Sequence, residues 1–270
     1  YIRKHIEVNR FKSIIRDLKF KGTAISMNEV TSIIQNKKVF PEFSYSITFD
    51  DGFENNLSQA APILLESNIP FIIYVTTSFV EKQEMSWIDK IEYAVESTKC
   101  KKIKPPWDNK VYNINTIKKK KEILSSIRFF VKNSQNLDQN LVVIDIFKQL
   151  GINKISKDRF LDSKLSWGQI SKYSNHDLIS FGGHSHNHRI LSHLSDDEIR
   201  FEISKCLDLL KSMGNVKTYH FSYPEGLKNC YSKKVISILK KFEVKCCPTA
   251  ISGLNSNSTD LFELKRISVV

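Results

Sequence analysis

The stretch from residue 45 to residue 76 reads YSITFDDGFENNLSQAAPILLESNIPFIIYVT. Its first five residues form a short apolar run that predicts a strand ending at Asp50. Residues 55–67 then carry apolar side chains at helical spacing, and residues 70–76 are β-branched and aromatic, which is typical of a buried strand. A strand, a helix and a second strand in this order predict a parallel sheet.

The alternation of strands and helices continues on both sides of this stretch. Helices are predicted at 10–20, 27–37 and 195–213, and further strands at 177–183, 219–223, 244–248 and 266–270. Residues 81–165 are lysine-rich and mostly helical, and we interpret them as an insertion rather than a separate domain. The prediction is therefore a single α/β domain over 1–270, built on a parallel sheet or barrel.

Composition limits the class of protein. The 270 residues are 41% hydrophobic, which is enough for one large core, and no apolar run approaches the roughly 20 residues that cross a bilayer. The first residues, Tyr1–His5, lack the apolar region of a secretory signal. The five cysteines are odd in number and contain no C-x-x-C, so we expect reduced, structural thiols in a cytoplasmic protein.

The formal net charge is +12, and lysines cluster at 99–104 and 118–121. Such runs are usually solvated helix faces. The alternative is attraction to an anionic partner, such as a membrane surface, a lipid-pyrophosphate carrier or an acidic glycan. No recognition helix, zinc finger or ribonucleoprotein motif is present, so nucleic acid is not an expected partner.

Asp50, Asp51 and Gly52 directly follow the first predicted strand. Two neighbouring carboxylates repel each other unless a positive group lies beside them. A metal ion on one carboxylate would relieve the repulsion and keep the other ionised as a base. The competing interpretation is an ordinary Asp-Gly turn.

His184 and His188 follow a later predicted strand and are four residues apart. This spacing places two imidazoles on one side of a helical turn, and a tight loop can do the same. With one carboxylate they would form a three-ligand site for a divalent metal, with room left for water. His186 would point away if the segment is helical, so we do not expect it to be a ligand. Gly182 and Gly183, just before, would allow close backbone approach.

These strings resemble the polysaccharide deacetylases of carbohydrate esterase family 4. The resemblance rests on the Thr-Phe-Asp-Asp-Gly of 48–52, the His-Ser-x-x-His of 184–188, and the Phe-Ser-Tyr-Pro-Glu-Gly of 221–226. Leu-Ser-Trp at 165–167 and Leu-Lys-Arg-Ile at 264–267 add to it. The family implies a distorted (β/α) barrel of seven or eight strands, a TIM-like barrel here with a helical insertion, and removal of N- or O-acetyl groups from sugars.

The resemblance also implies roles for individual residues. Asp50 corresponds to the general base, and Asp51, His184 and His188 correspond to the metal ligands. Tyr223 corresponds to the residue whose backbone N–H helps to bind the oxyanion. Zn²⁺ is the expected metal for this ligand set, and Co²⁺, Ni²⁺ or Mn²⁺ would also bind.

The chain departs from the family pattern in two places. Many members carry a late Leu-x-His whose histidine acts as the acid, whereas no histidine follows His220 here. Many also carry an arginine in the third motif, which is absent from residues 219–221. We therefore hypothesise that Arg266 tethers Asp50. His220 is the nearest candidate for the acid, although a lone strand histidine is more often structural.

Pro224, Trp167 and the motif residue Tyr223 are candidates for contact with the sugar. Aromatic faces suit the C–H faces of sugar rings, and Trp87 could act in the same way as Trp167. Packing in the core is the more common use of tryptophan.

The sequence therefore predicts a metal-dependent deacetylase acting on an N-acetylated sugar or glycan during surface-polysaccharide or glycolipid assembly. The positive charge fits work at the inner face of a membrane on a lipid- or nucleotide-linked intermediate. Alternatives are a deformylase or other amide hydrolase on a modified sugar, and an inactive glycan-binding barrel. Two histidines and a carboxylate also bind Fe(II) for oxygen chemistry, but usually within an all-β fold.

Overall fold

The computed structural model describes residues 5–134 and 137–269, and they divide into two compact units. The first, the sheet unit, consists of residues 6–84 and 163–269. The second, the helical unit, contains Met85–Asp162. The predicted insertion at about 81–165 covers the second unit, and its place in one single domain stays a prediction.

The sheet unit holds seven helices and three strands. The helices are α1 (Val8–Lys21), α2 (Met27–Gln35), α3 (Ala61–Glu66, entered through a π turn at Asn56–Ala60), α4 (Thr77–Lys82), α8 (Trp167–Tyr173), α9 (Asp196–Ser212) and α10 (Lys233–Lys241), so that α3 with its π turn corresponds to the predicted helix at 55–67. The strands are β1 (Ile47–Phe49), β2 (Phe71–Val75) and β5 (Ile179–Gly183), and a 3₁₀ turn lies at Leu191–His193.

The described residues of the helical unit, 85–134 and 137–162, form three helices and a short antiparallel ribbon. These are α5 (Trp87–Ser97), β3 (Lys102–Ile103), β4 (Tyr112–Asn113), α6 (Ile117–Asn133) and α7 (Gln139–Leu150). Helices α6 and α7 both pack on α5 around buried aliphatic side chains. None of the helices in the described ranges combines the length and apolar composition needed to cross a bilayer.

The strands of the sheet unit are parallel, in the order β1-β2-β5. All five residues of the central strand β2 are buried. Strand-to-strand contact continues as single parallel bridges, between Ala24 and Tyr45 at one edge and between Gly183 and Phe221 at the other. The predicted strands at 219–223 and 244–248 therefore exist only as bridges, because they exchange too few backbone hydrogen bonds to form longer ladders. The strand predicted at 266–270 is wrong for residues 266–269, which form no strand. No ring of strands closes within residues 5–134 and 137–269.

Parallel order places the carboxyl ends of β1, β2 and β5 at one edge. Helix α9 packs against β5, and its capping box runs between Ser195 and Glu198, as predicted. Four of the five cysteines are buried, Cys100 is exposed, and none of the five forms a disulfide in the described structure. Because the three strands are parallel neighbours, residues that follow their carboxyl ends lie close together, and the candidate site forms there.

Gly182 and Gly183 are the points of closest approach in this sheet. A Cβ on Gly183 would lie 2.6 Å from the Phe221 ring, and one on Gly182 would lie 2.6 Å from the Tyr74 ring. Both rings belong to fully buried residues. The absence of a side chain is therefore what lets β5 fit between its neighbours.

We expect Gly183→Ala to lower the free energy of unfolding by about 1–3 kcal/mol, because overpacking a filled core forces neighbours to move. Urea denaturation monitored by circular dichroism measures the change. Gly168→Ala in α8 is the control, since its nearest atom is 4.0 Å away and alanine favours a helix. Equal unfolding midpoints for the parent and Gly183→Ala would contradict the expectation.

Candidate active site

Asp51, His184 and His188 come together at the carboxyl edge of the sheet. Asp51 Oδ1 lies 3.5 Å from His184 Nε2 and 3.1 Å from His188 Nε2. One ligand atom from each residue lies within 4.8 Å of the others, and all three residues are buried. The structure therefore brings together the three side chains predicted as metal ligands.

The backbone holds these residues in turns. Asp51 lies two residues after the end of β1, with φ 68°, and His184 directly follows β5 with its N–H donating to Val75 O at 2.9 Å. Ser185 and His188 have φ values of 62° and 56°. The segment is thus not helical, and His184 and His188 meet through a tight loop. Left-handed backbone at non-glycine residues costs of order 1–3 kcal/mol each and is characteristic of functional sites.

The tautomer of His184 follows from its second nitrogen. Nδ1 lies 2.9 Å from Ser222 O, and a carbonyl only accepts, so Nδ1–H is the donor and Nε2 carries the lone pair facing Asp51. Burial lowers the pKa of His184, against the opposing charges of Asp50 and Asp51. A neutral imidazole with a free Nε2 is the form that binds metal.

The donor set fits a divalent cation. Tetrahedral coordination at roughly 2.1 Å places ligand atoms about 3.4 Å apart, close to the two separations from Asp51 Oδ1. One carboxylate and two imidazoles leave the fourth position open, which is the arrangement of catalytic rather than structural zinc sites.

Asp50 faces Arg266 in a bidentate ion pair. Arg266 Nη1 donates to Asp50 Oδ1 at 2.9 Å, and Nη2 donates to Oδ2 at 2.8 Å. The remaining donors reach Thr48 Oγ1 at 3.2 Å, Ser222 Oγ at 3.3 Å and Thr249 O at 2.6 Å. All five N–H groups of the guanidinium are therefore used, which fixes its plane and the carboxylate in front of it.

The ion pair sets the charge of Asp50. Burial alone would raise the pKa of its carboxyl, but the charge and hydrogen bonds of Arg266, together with His184, hold that pKa below the ordinary value. The pKa of Arg266 is raised because the Asp50 charge outweighs its own burial. Asp50 is thus an oriented, ionised carboxylate adjacent in sequence to Asp51, a candidate metal ligand.

The three residues predicted to contact the sugar lie in different surroundings. The Tyr223 ring is fully buried, stacks on Tyr231 at 4.6 Å and donates its hydroxyl to Phe262 O at 3.1 Å. Its backbone N–H is 3.5 Å from Pro248 O, a weak contact. Pro224 is buried, and Trp167 is half-buried against the main core. The Tyr223 ring therefore serves packing, and only its backbone could face a substrate.

His186 and His220 lie apart from the three ligands. His186 Nδ1 is 2.9 Å from Thr77 Oγ1, and its ring packs edge-on against Phe201. His220 Nε2 is 2.7 Å from Asn28 Oδ1, and burial lowers its pKa to about 4. His220 is therefore neutral and engaged in a structural contact, which leaves the general acid unassigned.

Sequence reasoning did not single out three neighbours of the site. The hydroxyl oxygens of Thr48 and Ser222 both accept hydrogen bonds from Arg266. Thr48 could have been found from the sequence, because it lies two residues before Asp50 on the same face of the chain. The buried Lys164 ammonium lies 3.2 Å from the Phe53 ring centroid, and no sequence signal marks it.

The chain belongs to the polysaccharide deacetylase family, whose model matches residues 37–247. No curated protein matches the sequence. The α/β fold is similar to those of solved deacetylases. The structure of the deacetylase PplD from Streptococcus pyogenes in complex with acetate aligns with a TM-score of 0.64 and 17% identity, covering 100% of this chain and 84% of that one.

Two further structures align almost as fully. IcaB from Ammonifex degensii has a TM-score of 0.61 and 16% identity, covering 98% of this chain and 84% of that one. The deacetylase domain of BpsB from Bordetella bronchiseptica has a TM-score of 0.59 and 16% identity, with the same coverage. Membership of the family implies a deacetylase, a hydrolase that acts on an N-acetylated sugar.

We expect Arg266→Lys to lower kcat by about 10- to 100-fold, because one ammonium cannot replace a five-donor fork and a base displaced by about 1 Å loses that much. Metal affinity should change little, since Arg266 touches none of the three ligands. Steady-state kinetics and metal titration measure the two effects. Lys265→Ala, one residue away and exposed, is the control. Parent-like kcat in Arg266→Ala would exclude the tether.

Proposed function

We propose that the protein is a metal-dependent hydrolase that removes N-acetyl groups from a sugar during surface-polysaccharide or glycolipid assembly. One observation carries the proposal. The Asp50 carboxylate, held ionised by Arg266, is adjacent in the chain to Asp51, which lies 3.1–3.5 Å from two imidazoles. A binding module has no need of an oriented base beside a metal site.

Asp51, His184 and His188 would hold the cation. Zn²⁺ is the first choice for one oxygen and two nitrogen ligands, with Co²⁺, Ni²⁺ and Mn²⁺ as alternatives. When bound, such an ion polarises the acyl carbonyl and lowers the pKa of its water.

In this proposal Asp50 accepts a proton as water attacks the acetyl carbon. Arg266 keeps the carboxylate charged before the transfer and fixes its direction, which are the requirements for a general base. The backbone N–H of Tyr223 donates to the oxyanion, in place of its weak contact with Pro248. The leaving amine must take a proton from a group that remains to be assigned.

We also propose that the sheet continues past β5 as a distorted barrel. Single bridges join Gly183 to Phe221 and His220 to Cys246, and backbone N–H groups of Cys247 and Thr249 donate to Leu261 and Leu264 at 2.9 and 2.8 Å. These contacts support a distorted barrel of seven or eight strands that continues past β5. Pro224 and Trp167 would then line the approach of the sugar.

The first test is acetate release from N-acetylglucosamine oligomers and from lipid- and nucleotide-linked N-acetylhexosamines. Metal-stripped protein, the same protein reloaded with Zn²⁺, and Asp50→Asn are compared. Release that returns with metal and is lost in Asp50→Asn supports the proposal, and the best substrate identifies the pathway. Stoichiometric metal binding without release favours a different acyl group, such as formyl. Absence of metal binding would overturn the proposal in favour of an inactive glycan-binding protein.

We also propose that the enzyme works at the inner face of a membrane. Met85–Asp162 carries 16 Lys or Arg against nine Asp or Glu, so this segment holds +7 of the +12 net charge. Large apolar side chains are exposed on the same unit, including Phe129 at 73% and Leu141 at 62%. Basic and exposed apolar groups together favour an anionic lipid surface.

We expect the protein to co-sediment with vesicles containing phosphatidylglycerol and not with pure phosphatidylcholine, and salt should weaken the binding because it screens charge. Lys118→Glu with Lys121→Glu in α6 should reduce binding. Lys19→Glu with Lys21→Glu in α1 makes the same charge change in the other unit and should have the smaller effect. Equal losses in the two pairs would show that only total charge matters.

A further inference from the structure

The loop that carries the two histidine ligands is held by one residue of α9. Glu202 is 1% exposed, and both of its carboxylate oxygens contact Asn187. Oε2 accepts the Asn187 backbone N–H at 2.7 Å, and Oε1 accepts its Nδ2 at 2.9 Å. The carbonyl oxygen of Glu202 also accepts the His186 N–H at 3.1 Å. A single residue thus makes three hydrogen bonds to the two residues nearest the middle of the His184–His188 loop.

The carbonyl oxygens of the loop accept hydrogen bonds from another element. The N–H groups of Thr77 and Ser78, at the start of α4, donate to the carbonyl oxygens of Ser185 and His186 at 3.3 and 2.9 Å. Helix α4 therefore holds the loop carbonyls, and Glu202 holds the loop N–H groups. The two sets of contacts fix the loop from both sides.

This arrangement bears on backbone strain. Ser185 and His188 are left-handed, and such conformations persist only where their surroundings over-determine them. Asn187 lies between these two residues, and Glu202 accepts two hydrogen bonds from it. Loss of these hydrogen bonds would let the loop relax toward ordinary backbone angles and move His188 Nε2 away from Asp51.

Core packing alone does not explain a glutamate at position 202. Its neighbours on the buried face of α9 are Ile199, Ile203 and Cys206, and a carboxylate in such surroundings is costly unless its oxygens are bonded. An apolar residue would serve the core at that position. What the carboxylate adds is a pair of acceptors aimed at the loop.

We infer that Glu202 is a positioning residue that locks the loop between His184 and His188 in the shape that brings both imidazoles to Asp51. The inference rests on the proposed metal site. It assigns to the α9 carboxylate and its partner Asn187 the role of setting metal affinity rather than touching the substrate.

The test is a titration of metal-free protein with Zn²⁺ against a competing chelator, and with Co²⁺ followed by visible absorption. Glu202 contacts the loop between the two histidines and not a ligand itself. We therefore expect Glu202→Gln to lose about 10-fold in affinity, the lower end of the 10- to 100-fold that a direct outer partner of a metal ligand contributes. Asn187→Ala should lose less, because its backbone N–H still reaches Glu202. Asp208→Asn, an exposed carboxylate on the same helix, should bind metal like the parent.

A paired exchange distinguishes hydrogen bonding from loss of packing. In Glu202→Gln with Asn187→Asp, the new amide can donate to the new carboxylate while still accepting the backbone N–H. We expect this double variant to recover metal affinity to within about threefold of the parent, since directly contacting residues are strongly coupled.

Parent-like metal affinity in both Glu202→Gln and Asn187→Ala would overturn the inference and leave the proposed hydrolase intact. Weakened binding in Glu202→Gln that the paired exchange does not recover would also overturn it. If Glu202→Gln fails to fold, Asn187→Ala decides the question, because its side chain lies on the surface. A parent protein that binds neither metal would overturn the inference together with the proposed function.

Discussion

Replacing Asp50 with asparagine will lower kcat for acetate release by about 10²- to 10⁴-fold, the range that a general base contributes. The amide has nearly the same shape but cannot accept the proton from water. Metal affinity should stay close to that of the parent, because Asp50 is not among the three ligand residues. Single-turnover kinetics on the best substrate, together with metal titration of the same preparation, measure both quantities.

Asp177→Asn is the matched control for this change. It is an exposed carboxylate just before β5, and its conversion to an amide should leave kcat unchanged. Circular dichroism checks that Asp50→Asn is folded, since Arg266 loses the negative charge of its partner and one of the two oxygens to which it donates. Full activity in a folded Asp50→Asn protein would remove the base from the mechanism.

Replacing His184 with alanine will weaken Zn²⁺ binding by more than about 100-fold and abolish turnover. Even an outer partner of a ligand is worth 10- to 100-fold, and His184 would supply a ligand atom directly. The hydrogen bond from Nδ1–H to Ser222 O is lost at the same time. Chelator competition and acetate release are measured side by side.

His186→Ala is the control because it removes an imidazole two residues away that faces Thr77 rather than Asp51. We expect it to bind Zn²⁺ like the parent within about threefold, given that it changes no ligand. If His184→Ala and His186→Ala lose the same affinity, the loss reflects disturbance of the loop and not a ligand role for His184.

The carboxyl edge of the sheet, where the candidate site lies, could be predicted from the sequence because its signals are local. Strands β1, β2 and β5 are short, mostly apolar runs. Asp50 and Asp51 come after β1, and His184 comes directly after β5. Parallel strands joined by helices bring such ends together whatever the rest of the chain does. The capping box at Ser195 depends on residues three apart and was equally legible.

What could not be derived depends on distant pairs and on backbone angles. Arg266 lies 216 residues from Asp50, and it was proposed only through a missing arginine elsewhere. The left-handed angles of Ser185 and His188 have no sequence signature, so a helical turn and a tight loop stayed equally open. The sequence predicts late strands at 219–223, 244–248 and 266–270. The first two are reduced to single bridges, and residues 266–269 form no strand.

The parallel pairing of β2 with β5 has a consequence for folding kinetics. Thr76 Oγ1 donates to His184 O across 108 residues of chain, and most of that span is the helical unit. Contacts within the helical unit, such as those of α5 with α6 and α7, are closer in sequence and can form early. Pairing of β5 closes a long loop and is intrinsically slow. Competence to bind metal should therefore appear only in the last phase of refolding, and a metal-sensitive signal would report arrival at the native state.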